Sequence, residues 1–262
     1  MEIILGTTDE LAQLAADAIA ARVLAKPELV LGLATGSSPL PLYEALARRV
    51  SDGLDMSRVR GFALDEYVGI PADHPESYLS VIRREVVGPL GMDPDLVLVP
   101  DGRAADLAAA GADYEERIAA AGGIDLQVLG IGANGHIGFN EPGSSLSSRT
   151  RIKTLTKQTR EDNARFFGGT RSGADHVPTH CISQGLGTIL DADRVFLFAA
   201  GSAKAAAVAG AVEGPVTASC PGSVLQFHRH AAVFVDHAAA ARLERLDYYV
   251  HTWMNKPAWQ QL

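Results

Sequence analysis

Short apolar runs rich in Val, Ile and Leu recur along the chain, and between them the apolar positions fall at helical spacing. The runs lie at 28–34, 59–64, 124–129, 194–199 and 231–236. Helical patterns fit 8–25, 39–50, 76–87, 104–121, 203–212 and 237–246. Strand and helix in alternation predict β-α units feeding a mainly parallel sheet flanked by helices. No composition shift, Pro/Gly/Ser linker or internal repeat divides these units. The reading is therefore one α/β domain over residues 1–262.

One stretch breaks the rhythm. From Gly130 to about Gly185 the chain carries loop residues, a polar Thr/Lys/Arg segment and a short aromatic-ended helix, Thr159–Phe167. Long irregular segments in compact domains tend to be functional or mobile, so a lid over about 155–178 is one reading. A decorated surface excursion is the other.

Composition narrows the partners. With 23 Lys+Arg against 31 Asp+Glu the formal charge is −8, which repels nucleic acid and anionic membrane surfaces. An anionic substrate would then need a local cationic pocket. The most apolar run, 195–203, is about half the roughly 18 residues that cross a bilayer. The first residues lack a basic region and a cleavage site, so a cytoplasmic protein is expected. Cys181 and Cys220 show no pairing or zinc spacing and read as small buried hydrophobes, and His74, His176 and His180 have no ligand partners at metal spacing. No metal is expected.

Candidate chemistry clusters after predicted strands. The stretch Thr35–Tyr43 puts a Gly/Ser/Thr loop before a helix, with Pro39 suited to its first turn. Such a junction presents free amides and a positive dipole end to an anion, and it lacks the Lys of a nucleotide-binding P-loop. A serine-capped helix with no ligand fits the same residues. Residues 130–135 match G-x-G-x-x-G, but Pro142 and two further glycines follow, so no helix can begin at once to receive a pyrophosphate. That loop reads instead as a holder of polar side chains at a strand's carboxyl end. His136 and Glu141 in it could form an imidazole–carboxylate pair for acid–base work, or a plain loop histidine with a hydrogen bond. Asp65 and Glu66 follow another apolar run; neighbours on extended chain point oppositely, so at most one enters a common pocket. Helix capping or a solvated turn is the alternative there. Arg165 and Lys204 could each neutralise a phosphate or lie on solvated faces.

Taken in order, LGLATGSSPLPLYEAL, FALDEYVGI, HPESYLSVIRREV, GIGANGHIGFNEPGSS, SRTRIKTLT, NARFF, GSAKA with AVEGPVT, and LQFH resemble the glucosamine-6-phosphate deaminase family, over about residues 28 to 236. The resemblance implies a Rossmann-like α/β fold. It also implies conversion of glucosamine 6-phosphate and water to fructose 6-phosphate and ammonia, without metal or organic cofactor. Carried over by position, Asp65 resembles the base that moves a proton from carbon 2 to carbon 1. His136 resembles the ring-opening acid–base group, with Glu141 as its carboxylate partner. Gly36, Ser37, Arg165 and Lys204 fall on the family's phosphate contacts. Asn134 stands where many members carry Asp, so an amide replaces a relay carboxylate and a different pH profile is expected. Some members are activated by N-acetylglucosamine 6-phosphate at a subunit boundary, and Arg151, Lys153 and Thr154 fall on that stretch, although the tail after Tyr249 matches nothing. A homo-oligomer is compatible with the resemblance.

The competing readings are 6-phosphogluconolactonase, a deaminase or isomerase for an epimeric amino-sugar phosphate, a catalytically silent sugar-phosphate sensor, and an unrelated α/β domain. FNEPGS and DEYVG point away from the lactonase, and the joint presence of Asp65, His136 and Glu141 points away from the sensor.

Overall fold

The computed structural model describes residues 1–167, 176–257, 260 and 262. In chain order its strands are β1 Glu2–Leu5, β2 Val30–Leu33, β3 Arg60–Ala63, β4 Asp65–Tyr67, β5 Val97–Leu98, β6 Leu126–Gly130, β7 Arg151–Thr154, β8 His180–Ser183, β9 Arg194–Ala199 and β10 Ala231–Val235. The helices are α1 Thr8–Ala25, α2 Leu40–Ser51, α3 Tyr78–Ile82, α4 Gly88–Leu90, α5 Leu107–Ala120, α6 Lys157–Asn163, α7 Leu186–Leu190, α8 Ala205–Val212 and α9 Leu246–Met254. A π-turn, Arg83–Val87, joins α3 to α4.

Seven strands form one sheet in the order β1-β10-β9-β6-β2-β3-β5. Every pairing in it is parallel. Residues of β2 and β10 are buried throughout, as expected where helices cover both faces of a parallel sheet. Gly32 in β2 leaves room for the side chain of Gln127 from β6, which a Cβ there would meet at 2.0 Å. Helix α1 starts from a reciprocal Thr7–Glu10 capping box and packs along α2, which in turn meets α4.

A second, antiparallel sheet, β4-β8-β7, stands above the carboxyl ends of the first. Two of its strands, β7 and β8, come from the irregular stretch 130–185. Around it lies a smaller apolar cluster of Tyr67, Ile70, Phe139, Leu155, Ala164, Val177 and Cys181. Within the expected lid segment, residues 168–175 lie outside the described residues.

Two expectations need correction. The helical pattern at 237–246 folds as successive turns, with Asp236 accepting from Gly201 N and Ala239 N, and the helix begins only at Leu246. Cys220 is half-buried, although Cys181 is fully buried.

Candidate active site

Strand ends deliver the candidate residues to one place. The chain leaves β2 for β3 and β5 on one side, and leaves β6 for β9 and β10 on the other. A crevice opens where the order reverses, at the carboxyl ends of the strands. There a cavity of about 440 Å³ is lined by Thr35–Ser38 after β2, Asp65 after β3, Gly130–Gly132 and His136 after β6, and Lys204 after β9. Arg165 reaches the same cavity from the turn after α6.

Asp65 and Glu66 point opposite ways, as the period of a strand requires. Asp65 lines the cavity and is 6% exposed. Burial, reinforced by the charge of Glu66, pushes its carboxyl up to about 8 against a partial offset from the Phe139 amide. Glu66 turns away and accepts from Tyr78 N at 2.9 Å, Leu79 N at 3.0 Å and Tyr67 N at 2.8 Å. It satisfies the first amides of α3, so the capping alternative holds for this member of the pair. Burial raises the Glu66 carboxyl, and those three amides hold the rise back.

On the loop after β6, His136 faces the cavity while Glu141 and Asn134 stand behind it. His136 Nδ1 lies 3.5 Å from Glu141 Oε2. The same oxygen accepts from Asn134 Nδ2 at 2.8 Å, and Asn134 Oδ1 accepts from His136 N at 3.2 Å. Thr156 donates to Glu141 Oε1 from its amide at 3.1 Å and its hydroxyl at 3.2 Å. Burial alone would raise the Glu141 carboxyl, but His136, Thr159 and the Thr156 amide outweigh it and bring it down to about 2. Glu141 is thus an ionised carboxylate beside the imidazole, whose buried Nδ1 makes no hydrogen bond among the described residues. Gly132 makes room for the ring, since a Cβ there would lie 2.3–2.5 Å from His136 ring atoms.

At the other end the cavity gathers positive charge. Helix α2 has Pro39 at its N-cap and no side-chain cap, so the serine-capped alternative is not what forms. Gly36 takes a left-handed φ of 91°, and the loop Gly36–Ser38 lines the cavity at the amino end of α2. Burial lowers the Lys204 ammonium, and Arg165 nearby lowers it further against a partial offset from Asp162. Two cations repelling across one cavity are stabilised by an anion between them. Arg165 is itself exposed, with its guanidinium 4.7 Å from the Phe166 ring centroid.

Arg151, Lys153 and Thr154 lie elsewhere. They sit on β7, where alternation puts Arg151 and Lys153 on one face and Thr154 on the other, and none lines the cavity. Several cavity residues escaped sequence reasoning, among them Tyr67, Tyr78, Phe139 and Asn163. Tyr67 was within reach of it, two positions after Asp65 on the same strand face. Among the described residues no group of three or more His, Cys, Asp or Glu side chains is placed to hold a metal ion.

The glucosamine-6-phosphate isomerases/6-phosphogluconolactonase family model matches residues 6–234. The chain belongs to this family. Within the family it is similar to a glucosamine-6-phosphate deaminase of Pseudarthrobacter chlorophenolicus, 61% identical over 258 residues that cover 98% of each chain. A second deaminase so named, from Streptomyces avermitilis, is 59% identical over 95% of this chain and 94% of its own. Among solved structures, a monomeric glucosamine-6-phosphate deaminase superposes with a TM-score of 0.88 and 38% identity, over 92% of this chain and all of that one. A 6-phosphogluconolactonase from Trypanosoma cruzi shares the fold at a TM-score of 0.73 with 21% identity, over 93% of this chain and 97% of that one. The deaminase and lactonase branches of the family thus share one sheet, and this chain stands nearer in sequence to the relatives named deaminase.

Proposed function

We propose that the chain is an isomerising deaminase that converts glucosamine 6-phosphate and water to fructose 6-phosphate and ammonia, in amino-sugar catabolism. The observation that carries this is the buried carboxyl of Asp65 in the same cavity as a loop at a helix amino end, two cations and an imidazole. Ester hydrolysis needs no base at a sugar carbon. Relatives bearing the deaminase name are 55–61% identical over nearly the whole chain, which supports the same choice.

The phosphate sits against the Gly36 and Ser37 amides, Arg165 and Lys204. His136, oriented by Glu141 and Asn134, moves a proton from the anomeric hydroxyl to the ring oxygen, and the ring opens. Asp65 then takes the proton from carbon 2 of the open aminoaldose and returns it to carbon 1 of the enolamine. The resulting imine at carbon 2 adds water and expels ammonia, leaving the ketose. The ammonium group of the incoming sugar favours the ionised form of Asp65, which in the empty site is held up by burial.

All of these groups come from one chain, so a single copy suffices for the chemistry, whether or not it forms a homo-oligomer. We read residues 1–262 as one catalytic domain. A cytoplasmic location fits a phosphorylated substrate, and no described helix is long and apolar enough to cross a membrane. The test is simultaneous detection of ammonia and fructose 6-phosphate from glucosamine 6-phosphate, in deuterated water. Deuterium at carbon 1 of the ketose is expected, less the share of the carbon-2 proton that Asp65 carries over before it exchanges with solvent. Hydrolysis of 6-phosphogluconolactone in place of deamination would overturn the reading.

A further inference from the structure

Two phenols, Tyr67 buried and Tyr78 half-buried, join the two walls of the positively charged end of the cavity. Tyr67 is 1% exposed and its hydroxyl oxygen accepts from Asn163 Nδ2 at 3.0 Å and from the Tyr78 hydroxyl at 3.2 Å. Tyr78 in turn meets the side chain of Thr35. Thr35 opens the loop that carries Gly36 and Ser37, while Asn163 ends α6 two residues before Arg165. A chain of four side chains therefore runs along the cavity wall, from the loop after β2 to the segment that brings Arg165.

Ring packing does not call for the hydroxyls. Tyr67 meets the rings of Tyr78 at 4.9 Å, Phe139 at 5.6 Å and Phe167 at 5.5 Å, and Phe in its place would keep these contacts. A hydroxyl in such a cluster costs free energy unless paired, and the pair it makes here reaches to the Arg165 segment. Arg165 is exposed, so its position follows the backbone to which Asn163 and the packed Ala164 belong.

We propose that the Tyr67 hydroxyl is a positioning group for phosphate recognition, holding Asn163 so that Arg165 stands at the right distance from the loop Thr35–Ser38 before substrate arrives. Preorganisation of this kind lowers the ordering cost of binding and leaves the later chemistry alone. The inference rests on the sugar-phosphate reading, and its test separates the two. Tyr67→Phe should raise KM for glucosamine 6-phosphate about five- to tenfold, the effect of one lost hydrogen bond, with kcat within about twofold. Calorimetric affinity for inorganic phosphate should fall by a similar factor.

In an Arg165→Ala background the same substitution should have no further effect on either quantity, because the group it acts through is gone. Asn163→Ala, which breaks the chain from its other end, should reproduce the KM and phosphate effects. Full additivity with Arg165→Ala would overturn the proposal, as would a fall in kcat at unchanged KM. Wild-type phosphate affinity in Asn163→Ala would overturn it as well, even if Tyr67→Phe proved too unstable to assay. Failure of the native protein to release ammonia would instead defeat the proposed reaction, and the positioning role would then be judged on the phosphate affinities alone.

Discussion

Replacing Asp65 by Asn removes a base and a buried titratable carboxyl together, so activity and stability should move in opposite directions. The carboxyl ionises near 3.8 in the unfolded chain and at about 8 in the fold. A raised folded-state value contributes stability fully present below the unfolded pKa and lost as pH rises through the folded one. At about 1.4 kcal/mol per pH unit, holding Asp65 protonated in the fold while the unfolded chain ionises costs the native state on the order of 4 kcal/mol at pH 7. Asn keeps the shape and can still accept from the Phe139 amide, but its own buried amide group costs roughly 1–3 kcal/mol. A net gain of about 1–3 kcal/mol at pH 7 follows from the difference. The cleaner quantity is the pH dependence: from pH 5 to pH 8 the variant's advantage over the native protein should grow by on the order of 3–4 kcal/mol. Urea denaturation of both proteins at those two pH values measures it. Turnover should fall about 10²–10⁴-fold, because the amide cannot accept the carbon-bound proton. A stability difference that does not change with pH would refute the burial argument, and near-native turnover would return the general base to an unknown residue.

Glu66→Gln should leave kcat within a few-fold but cost about 1 kcal/mol in urea denaturation at neutral pH, since it caps α3 and faces away from the cavity; a larger kcat loss than in Asp65→Asn would reverse the two roles. Lys204→Ala should weaken phosphate binding by about 1.5–3 kcal/mol, read as a raised KM for glucosamine 6-phosphate, with unphosphorylated glucosamine unaffected. Asn134→Asp places a second carboxylate where a donor now stands 2.8 Å from Glu141 Oε2. The added negative charge should favour protonated His136 and shift the His136-dependent limb of the kcat/KM profile to higher pH; an unmoved profile would show that Asn134 does not tune the pair.

Local physics made much of the fold legible. The runs at 28–34, 59–64, 124–129, 194–199 and 231–236 became β2, β3, β6, β9 and β10, because strands buried on both faces need continuous apolar sequence. The loop after β2 and the histidine loop after β6 were visible as Gly/Ser-rich breaks at strand ends, and the opposite orientations of Asp65 and Glu66 followed from the strand period alone. Short elements were not legible. β1, β5 and the sheet β4-β8-β7 have two to four residues each and, unlike the equally short β2 and β3, lie outside the longer apolar runs at 28–34 and 59–64, and their pairing partners are distant in sequence. The turns at 237–246 show apolar spacing losing to Asp236, which caps them locally. Tertiary structure alone decided that Asp65, His136, Arg165 and Lys204 share one cavity, and that Glu141 serves His136 and Asn134 with a single oxygen. It alone also joined Asn163 to Tyr67 across 96 residues. Spacing along a chain carries information about neighbours on one helix or strand. Which strand ends meet is set by the order of strands in the sheet, and burial of Asp65, the source of its raised pKa, exists only once that sheet has closed over it.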